Sequence, residues 1–278
     1  MSYPDPRQPV YVADEIQPNA DLFDWVFGLE GEVFRDIKGR TTLRFQHNGR
    51  SYFLKRHSGQ PFSEWLKPWL RGQRPEPGAR PEWEAIAHLK SHGVETMTAV
   101  AWGERGRWPW QHESFLITED LADTISLEDY CQRWASQPPS FREKRNVLRA
   151  VAKTARLMHQ SGMNHRDFYL CHFLMPRTED PAHREPRLHL IDLHRAQLRG
   201  NVPWRWRMKD LSGLYYSALE WDIGLTQRDC FRFMCDYSGK TLRRLMRRPR
   251  IWRSAEAKAA RLYEKVFGHP ARSRVVRS

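Results

Sequence analysis

The sequence predicts an α+β fold with two lobes, a small amino-terminal lobe rich in β-strands and a larger, helical carboxy-terminal lobe. In the first half, strand-like runs flank Asn48–Gly49, a dipeptide that favours a tight hairpin turn. In the second half, apolar residues recur at helical spacing, at Val147, Val151, Ala155 and Met158. We therefore assign residues 1–121 to the first lobe with its connecting segment, and residues 122–278 to the second.

The composition is typical of a folded protein in a reducing compartment. With 278 residues, 40% of them hydrophobic, the chain is long enough to bury a core. The amino terminus lacks the apolar segment of a signal peptide, and no apolar run approaches membrane-spanning length. The four cysteines form neither a C-x-x-C pair nor a dense framework, so we expect reduced thiols and a cytoplasmic location.

The positive charge is concentrated in a basic tail, Lys240–Ser278. The tail has thirteen Lys and Arg against two Glu, a net +11 of the formal +13 of the whole chain. Such a tail predicts contact with an anionic membrane surface or an acidic protein, with a solvated basic helix as the simpler alternative. Nucleic acid is not an expected partner, because the sequence has neither zinc-finger spacing nor an RNA-binding aromatic strand.

The segment Asn164–Met175 has the pattern of a kinase catalytic loop, His-Arg-Asp directly after the periodic helix. In phosphoryl transfer a positioned carboxylate accepts a hydrogen bond from the acceptor hydroxyl, and we predict that Asp167 is this catalytic carboxylate. Protein kinases have a metal-binding Asn five residues later, where this chain has His172. His172 is predicted to bind a metal ion, to hydrogen-bond Asp192 or to touch the γ-phosphate.

A second carboxylate and a lysine complete the predicted phosphate site. The run Leu188–Leu193 is predicted to be a short buried strand, which puts Asp192 where a kinase holds magnesium. Upstream, Lys55 lies in the second of the two strand-like runs of Thr41–His57, at the position of the lysine that reaches the nucleotide phosphates. A predicted helix further along supplies Glu82 or Glu84 as its ion-pair partner.

The turn Asp36–Arg40 and the segment Glu119–Leu121 are the predicted nucleotide-binding backbone. The turn has one glycine in place of G-x-G-x-x-G, so Lys38 or Arg40 would compensate by charge. A plain tight turn explains the same residues equally well. Glu119 to Leu121 follow a strand-like run and would offer main-chain groups to adenine.

Residues around the two carboxylates are predicted to support them. His165 would hold the catalytic loop by packing and hydrogen bonding. Asp210, at the start of a predicted buried helix, would brace the loop backbone, or would only favour the helix dipole. His194 and Arg195 would meet an anionic acceptor or form salt bridges within the lobe. No A-P-E motif follows Asp192, which favours a small-molecule or glycolipid acceptor over a peptide.

Longer segments resemble the lipopolysaccharide core heptose(I) kinase family of Gram-negative bacteria. The combination of H-R-D-x-Y-x-x-H-F with I-D-L-H-R-A-Q is specific, and further matching segments are Arg80–Gly106, Ile117–Glu128 and Arg205–Asp229. The resemblance implies a protein-kinase-like fold that transfers the γ-phosphate of ATP, with Mg²⁺, to O-4 of the first heptose of the lipopolysaccharide inner core. It also favours Glu82 over Glu84, and His172 agrees with the family.

The resemblance further implies an acceptor that is assembled at the inner membrane. We therefore expect the basic tail to attach the protein peripherally to the inner face of that membrane, and an acyl carrier protein is a candidate acidic partner.

Between Ser58 and Arg80, Trp65 and Trp69 would pack a short helix against the small lobe or touch lipid or sugar.

Two other functions remain open from the residues alone. One is a protein kinase or autophosphorylating enzyme, although the missing A-P-E motif speaks against it. The other is a kinase-like scaffold that binds a membrane or an acidic protein. The absence of both the metal-binding Asn and the glycine-rich loop motivates this second reading.

Overall fold

The structure, a computed structural model, describes residues 9–18, 20–37, 39–59, 78–247 and 250–270. Lys38, Trp65 and Trp69, which the sequence singled out, lie outside these residues. The chain divides into two compact units, Met1–His88 with Met97–Ala122, and Leu89–Thr96 with Asp123–Ser278. The segment Leu89–Thr96 precedes the predicted boundary between the lobes and yet belongs to the second unit.

Among the described residues, the strands of the first unit form one antiparallel sheet in the order β1-β5-β6-β4-β3-β2. The strands are β1 Val10–Val12, β2 Glu32–Ile37, β3 Arg40–His47, β4 Arg50–His57, β5 Ala99–Arg105 and β6 Glu113–Glu119. The predicted hairpin turn is confirmed, because Asn48 and Gly49 join β3 to β4 with φ angles of 47° and 74°. Lys55 lies on β4, opposite Leu116 of β6.

Helix α1 spans Leu22–Gly28 and helix α2 spans Arg80–Ser91. Helix α2 is the helix predicted around Glu82. Its Trp83 and Ile86 are fully buried, and the Trp83 ring stacks on Trp102 of β5 with centroids 5.7 Å apart. Burial of large side chains of this kind contributes about 2 kcal/mol each, so this face of α2 is strongly specified.

The second unit is mainly helical. Its helices are α3 Leu127–Gln132, α4 Phe141–Gln160, α5 Trp204–Glu220, α6 Gln227–Ser238, α7 Leu242–Met246 and α8 Arg250–Phe267. Short strands β7 Thr124–Ser126, β9 Phe173–Pro176 and β10 His189–Leu190 form one sheet in the order β10-β9-β7, and β8 Met163–Asn164 pairs with β11 Gln197–Leu198.

Helix α4 confirms the helix predicted before the catalytic loop. Its predicted apolar face is buried, at Val147, Val151, Ala155 and Met158. The chain leaves the helix through Gly162, which has a φ of 94°. A Cβ atom there would lie 2.1 Å from the carbonyl oxygen of Arg199, so the turn into the catalytic loop requires glycine.

Two predicted boundaries are wrong. The strand predicted at Leu188–Leu193 is limited to His189–Leu190, because Asp192 adopts the left-handed conformation with a φ of 60° and a short 3₁₀ turn follows it. Helix α5 begins at Trp204, so Asp210 lies inside the helix. The helix-dipole explanation of Asp210 is therefore excluded, since that effect is confined to the first turn.

The described part of the basic tail packs on the unit along one face. Ala259 of α8 is fully buried in a cluster with Tyr216 and Leu219 of α5, whereas Arg253 and Lys258 are exposed. Along the described chain, none of the helices has both the length and the apolar character that crossing a membrane requires.

Candidate active site

Lys55 and Glu82 form the ion pair of the first unit. The Lys55 Nζ atom donates a hydrogen bond to Glu82 Oε1 at 2.6 Å, and the Glu82 side chain is only 3% exposed. Glu84 instead faces Arg80, 3.7 Å away. The structure thus selects Glu82 as the partner of Lys55. A carboxylate this deeply buried needs a cation nearby, since an unpaired buried charge costs several kcal/mol.

The segment predicted to contact adenine follows β6. Glu119 is the last residue of that strand, and its backbone N–H donates to the carbonyl of Thr98 at 2.8 Å. Asp120 N–H donates to the carbonyl of Ser51 at 3.0 Å. These two bonds hold the backbone up to Leu121 against neighbouring strands. The turn predicted at Asp36–Arg40 is shorter in the structure, because β2 extends to Ile37 and β3 begins at Arg40. Arg40 is buried, and Lys38 lies outside the described residues.

Asp210 braces the backbone of the catalytic loop, as predicted. Its two carboxylate oxygens accept hydrogen bonds from the backbone N–H groups of His165 and Arg166, both at 2.8 Å. The ring of His159 lies 3.1 Å from the same carboxylate, which is completely buried. Arg166 has a φ of 76°, so these bonds also stabilise a strained turn immediately before Asp167.

His165 links the catalytic loop to the segment before Asp192. Its Nε2–H donates to the carbonyl of Ile191 at 3.0 Å, and its ring stacks on His172 with centroids 5.6 Å apart. Complete burial, followed by the nearby His172, lowers the pKa of His165. A neutral ring agrees with a supporting role for His165, as the sequence predicted.

The Asp167 carboxylate is paired with Arg195. The sequence left two roles open for Arg195, contact with an anionic acceptor or a salt bridge within the lobe. Arg195 Nη1 donates to both carboxylate oxygens of Asp167, at 2.8 and 3.0 Å. The Asp167 side chain is 17% exposed and that of Arg195 is 45% exposed. Arg195 therefore forms the salt bridge within the second unit. Charge-assisted hydrogen bonds of this kind are strong, and they orient the Asp167 carboxylate.

Asp192 lies between two histidines. His194 Nδ1 is 2.6 Å from one carboxylate oxygen, and His172 Nε2 is 3.5 Å from the other. His172 Nδ1 lies 2.6 Å from the backbone carbonyl of Asp167. Because a carbonyl only accepts, Nδ1 donates to it, and Nε2 is the ring nitrogen that faces Asp192. A metal ion held by Asp192 would therefore lie beside His172.

These residues fit a magnesium ion that the nucleotide helps to hold. Magnesium is usually bound by one or two carboxylates together with substrate phosphates and water, and Asp192 offers such a carboxylate, 29% exposed. Within the described residues, no group of three or more His, Cys, Asp or Glu is arranged to hold a metal alone. A closed site made only of protein ligands is therefore not what this part of the chain provides.

The order and chemistry of these groups agree with the protein family whose sequence model matches the chain. A sequence model of the lipopolysaccharide kinase (Kdo/WaaP) family matches residues 24–237. The chain belongs to this lipopolysaccharide kinase family.

Relatives in the Kdo/WaaP family cover nearly the whole chain. The chain is 49% identical over 248 residues to the lipopolysaccharide core heptose(I) kinase WaaP of Escherichia coli, covering 89% of this chain and 93% of the relative. It is 47% identical over 246 residues to the WaaP kinase of Pseudomonas aeruginosa, covering 88% and 91%. A solved structure described as WaaP in complex with acyl carrier protein is similar, with a TM-score of 0.79, 43% identity, and coverage of 92% of this chain and all of that chain.

Membership of the Kdo/WaaP family confirms the predicted fold class and the predicted reaction class. As a member of a lipopolysaccharide kinase family, the chain is a kinase and therefore a phosphotransferase. A kinase of this family uses ATP. The roles of individual residues, the metal ion, the binding partners and the cellular location go beyond these matches.

Proposed function

We propose that the enzyme transfers the γ-phosphoryl group of ATP to the O-4 hydroxyl of the first heptose, with Asp167 as the catalytic carboxylate. The observation that carries this proposal is the double backbone hydrogen bond from His165 and Arg166 to Asp210, which holds the loop that presents Asp167. A positioned carboxylate aligns the hydroxyl with the phosphorus atom and accepts its proton late in a loose transition state.

In the proposed reaction, the hydroxyl oxygen of heptose forms a bond to the γ-phosphorus, and the bond from that phosphorus to the bridging oxygen of ADP breaks. The hydroxyl proton moves to Asp167, and ADP leaves with the bonding electrons. Arg195, which donates to both oxygens of Asp167, orients this carboxylate before the transfer. Because a carboxylate has about four acceptor sites, Asp167 can bond the hydroxyl as well.

Lys55 and Asp192 are proposed to bind the phosphates. Lys55, oriented by Glu82, would contact the α- and β-phosphates. Asp192 would hold Mg²⁺, with the Nε2 atom of His172 as a further ligand or as the group that orients the carboxylate. Magnesium, when bound, neutralises charge on the phosphates. The main-chain groups of Glu119 and Leu121 would bind adenine.

The test measures transfer of labelled γ-phosphate from ATP to purified lipopolysaccharide that lacks heptose phosphate. We expect label on the glycolipid and a phosphorus NMR signal at O-4, and loss of transfer after chelation of magnesium. Asp167→Asn should lose most of this transfer, and Asp180→Asn is its matched control because Asp180 is an exposed carboxylate of the same unit. Label on a peptide but not on the glycolipid would support a protein kinase instead, and ATP binding without transfer would support a scaffold.

We also propose that the protein works in the cytoplasm, at the inner face of the inner membrane, and that the basic tail contributes to attachment. Support comes from the outward cations of α8, such as Arg253, Lys258 and Arg261, which are exposed while Ala259 packs inward. Replacing these three cations with Gln should weaken binding to vesicles with anionic lipids, more at low salt than at high salt. Unchanged binding at low salt would contradict this role.

An acyl carrier protein is proposed as a partner, because the similar solved structure is described as a complex with one. The second unit contains an apolar cavity of about 100 Å³ between α4, α5, α6 and α8, with Val151, Leu214, Phe233 and Trp252 among its lining residues. Such a cavity would take part of an acyl chain. We expect acylated carrier protein to bind more tightly than the same carrier without its acyl chain, as measured by calorimetry. Equal affinity would exclude this use of the cavity.

A further inference from the structure

A cluster of cations surrounds the indole ring of Trp206, in the first turn of α5. The charged ends of Arg166, Arg199, Arg205 and Lys209 all lie 5.4 to 5.9 Å from the ring centroid. One aromatic ring stabilises a cation over its face by about 0.5 to 2 kcal/mol. Four cations around a single ring also repel one another, so the ring alone does not account for the group.

The members of this Trp206 cluster differ in how they are neutralised. Arg199 is held by hydrogen bonds to Asn164 and Gln197. By contrast, no ion pair within the described chain involves Arg166, Arg205 or Lys209. The Nε–H group of Arg166 is buried without a hydrogen-bond acceptor. A buried donor of this kind costs about 1–3 kcal/mol unless an acceptor arrives.

The surroundings of Lys209 show the same unbalanced charge. Burial, followed by the charges of Arg166 and Arg195, lowers the pKa of Lys209. The carboxylates of Asp167 and Asp210 oppose this shift and do not cancel it. Both carboxylates are already engaged, Asp167 by Arg195 and Asp210 by the backbone of the loop.

The position in the helix increases the positive potential. Helix α5 has no acidic residue in its first turn, and its N-cap residue, Pro203, gives no side-chain cap. The amino end of a helix carries a partial positive charge, so Arg205 is unfavourable there for folding. An anion, however, is attracted by the helix end and by the cations together.

The cluster lies next to the predicted catalytic carboxylate. Arg166 immediately precedes Asp167, and Lys209 immediately precedes Asp210, which bonds the Arg166 backbone at 2.8 Å. The charge of Asp167 also acts on Lys209, so a group bound at Trp206 would lie near Asp167. The acceptor of this enzyme is a glycan of the lipopolysaccharide core, so the neighbouring part of that glycan is the natural ligand.

We propose that Arg166, Arg205 and Lys209 around Trp206 form a subsite for an oxyanion, a carboxylate or a phosphate, on the sugar chain next to the reacting heptose. The inference rests on the proposed role of Asp167. The subsite holds the acidic part of the glycan and so positions the hydroxyl for transfer. Binding supplies acceptors for the Arg166 Nε–H group and offsets the mutual repulsion of the cations.

The test compares two double variants that remove the same charges with the same spacing. Arg205→Gln with Lys209→Gln removes two cations of the subsite. Arg149→Gln with Lys153→Gln is the matched control, because these residues are also four apart on a helix, α4, and only form surface pairs with Glu185. The acceptor is a soluble core oligosaccharide without its lipid, prepared with all acids intact, with carboxylates reduced to alcohols, or with phosphates removed.

With the intact oligosaccharide, the subsite variant should raise KM for the acceptor about tenfold or more and leave KM for ATP within about twofold. The control variant should match the wild type in both. For the wild type, KM should rise by the same factor on the oligosaccharide that lacks the recognised acid. For the subsite variant, KM should be the same for that oligosaccharide and for the intact one. The two treated oligosaccharides thus distinguish carboxylate from phosphate. The proposal would be overturned if the subsite variant had the wild-type KM for the intact acceptor. It would also be overturned if the two substitutions raised KM by the same factor on all three oligosaccharides.

Thermal unfolding separates this role from a structural one. Because Arg205 is unfavourable at the helix end, the subsite variant should melt at the same temperature as the wild type or higher. Direct binding of the intact oligosaccharide, followed by calorimetry, does not depend on catalysis. If the wild type bound this acceptor through the subsite without phosphorylating it, the proposed function would fail and the subsite would stand. Equal binding by wild type and subsite variant would exclude the subsite itself.

Discussion

Asp210 and Asp167 are two carboxylates of one unit with opposite environments. Asp210 is completely buried and is held by two backbone N–H groups and by His159. Asp167 is 17% exposed and is held by the side chain of Arg195, which is itself 45% exposed. Donors on the backbone are fixed by the fold, whereas a guanidinium on a long, exposed side chain can move away. The first carboxylate therefore specifies the loop, and the second remains available for chemistry.

Asp167→Asn is expected to have the largest effect on turnover. Loss of a positioned proton acceptor lowers turnover by about a hundredfold to ten-thousandfold. The free energy of unfolding should stay within about 1 kcal/mol of the wild type, because the Asp167 carboxylate pairs with the exposed side chain of Arg195. Phosphate-transfer kinetics and urea denaturation check both parts. Near wild-type turnover would remove Asp167 from its role.

Asp210→Asn should reverse this pattern. The amide can accept at one position only, and its NH₂ group then faces a backbone N–H, so a buried donor of the loop loses its partner. We expect the free energy of unfolding to fall by about 3 kcal/mol, with turnover reduced as the loop loosens. Chemical denaturation measures the first effect. A fully stable variant with normal turnover would show that the loop does not depend on these hydrogen bonds.

Arg195→Gln tests the other carboxylate of the comparison, Asp167, by removing its exposed salt-bridge partner. Removing the charge beside Asp167 should lower turnover about tenfold, because the carboxylate is less well oriented. Stability should change by less than about 1 kcal/mol, as expected for an exposed ion pair. Phosphate-transfer kinetics and urea denaturation measure the two effects. Wild-type turnover in this variant would contradict the role of the pairing.

Asp229 extends the comparison to a third carboxylate, away from the catalytic loop. Burial alone would raise its pKa, but hydrogen bonds from Thr226 and the charge of Lys144 outweigh burial and lower the pKa. A lowered pKa stabilises the folded state above the ordinary carboxyl pKa, and this contribution is lost as the pH falls through the folded value. Asp229→Asn should therefore cost about 1 kcal/mol at pH 7, with no effect on turnover.

The cost of Asp229→Asn should shrink when unfolding is measured near pH 3, since the carboxylate of the unfolded wild-type chain is then mostly protonated and the charge contributes less to stability. A cost that stays constant between pH 7 and pH 3 would show that packing, not charge, explains the substitution. The turnover of Asp229→Asn must be measured as well. A large loss of activity in this variant would mean that fixed carboxylates far from the loop also control the chemistry.

Local patterns in the sequence predicted much of the fold. The hairpin at Asn48–Gly49 and the helix α4 follow from preferences of neighbouring residues, turn chemistry in one case and helical periodicity in the other. The predicted reaction and the predicted acceptor came from the family resemblance. The strand predicted at Leu188–Leu193 was too long, because an apolar run does not reveal the left-handed backbone of Asp192.

By itself, the sequence determined the order of the motifs, the elements that carry them and the positions of Lys55, Asp167 and Asp192 along the chain. The family resemblance favoured Glu82 over Glu84, and only the tertiary structure showed the ion pair of Glu82 with Lys55 and the salt bridge from Arg195 to Asp167. The tertiary structure alone showed the Trp206 cluster. Short-range backbone preferences are written in neighbouring residues, whereas the donor that meets a given carboxylate depends on how distant segments pack.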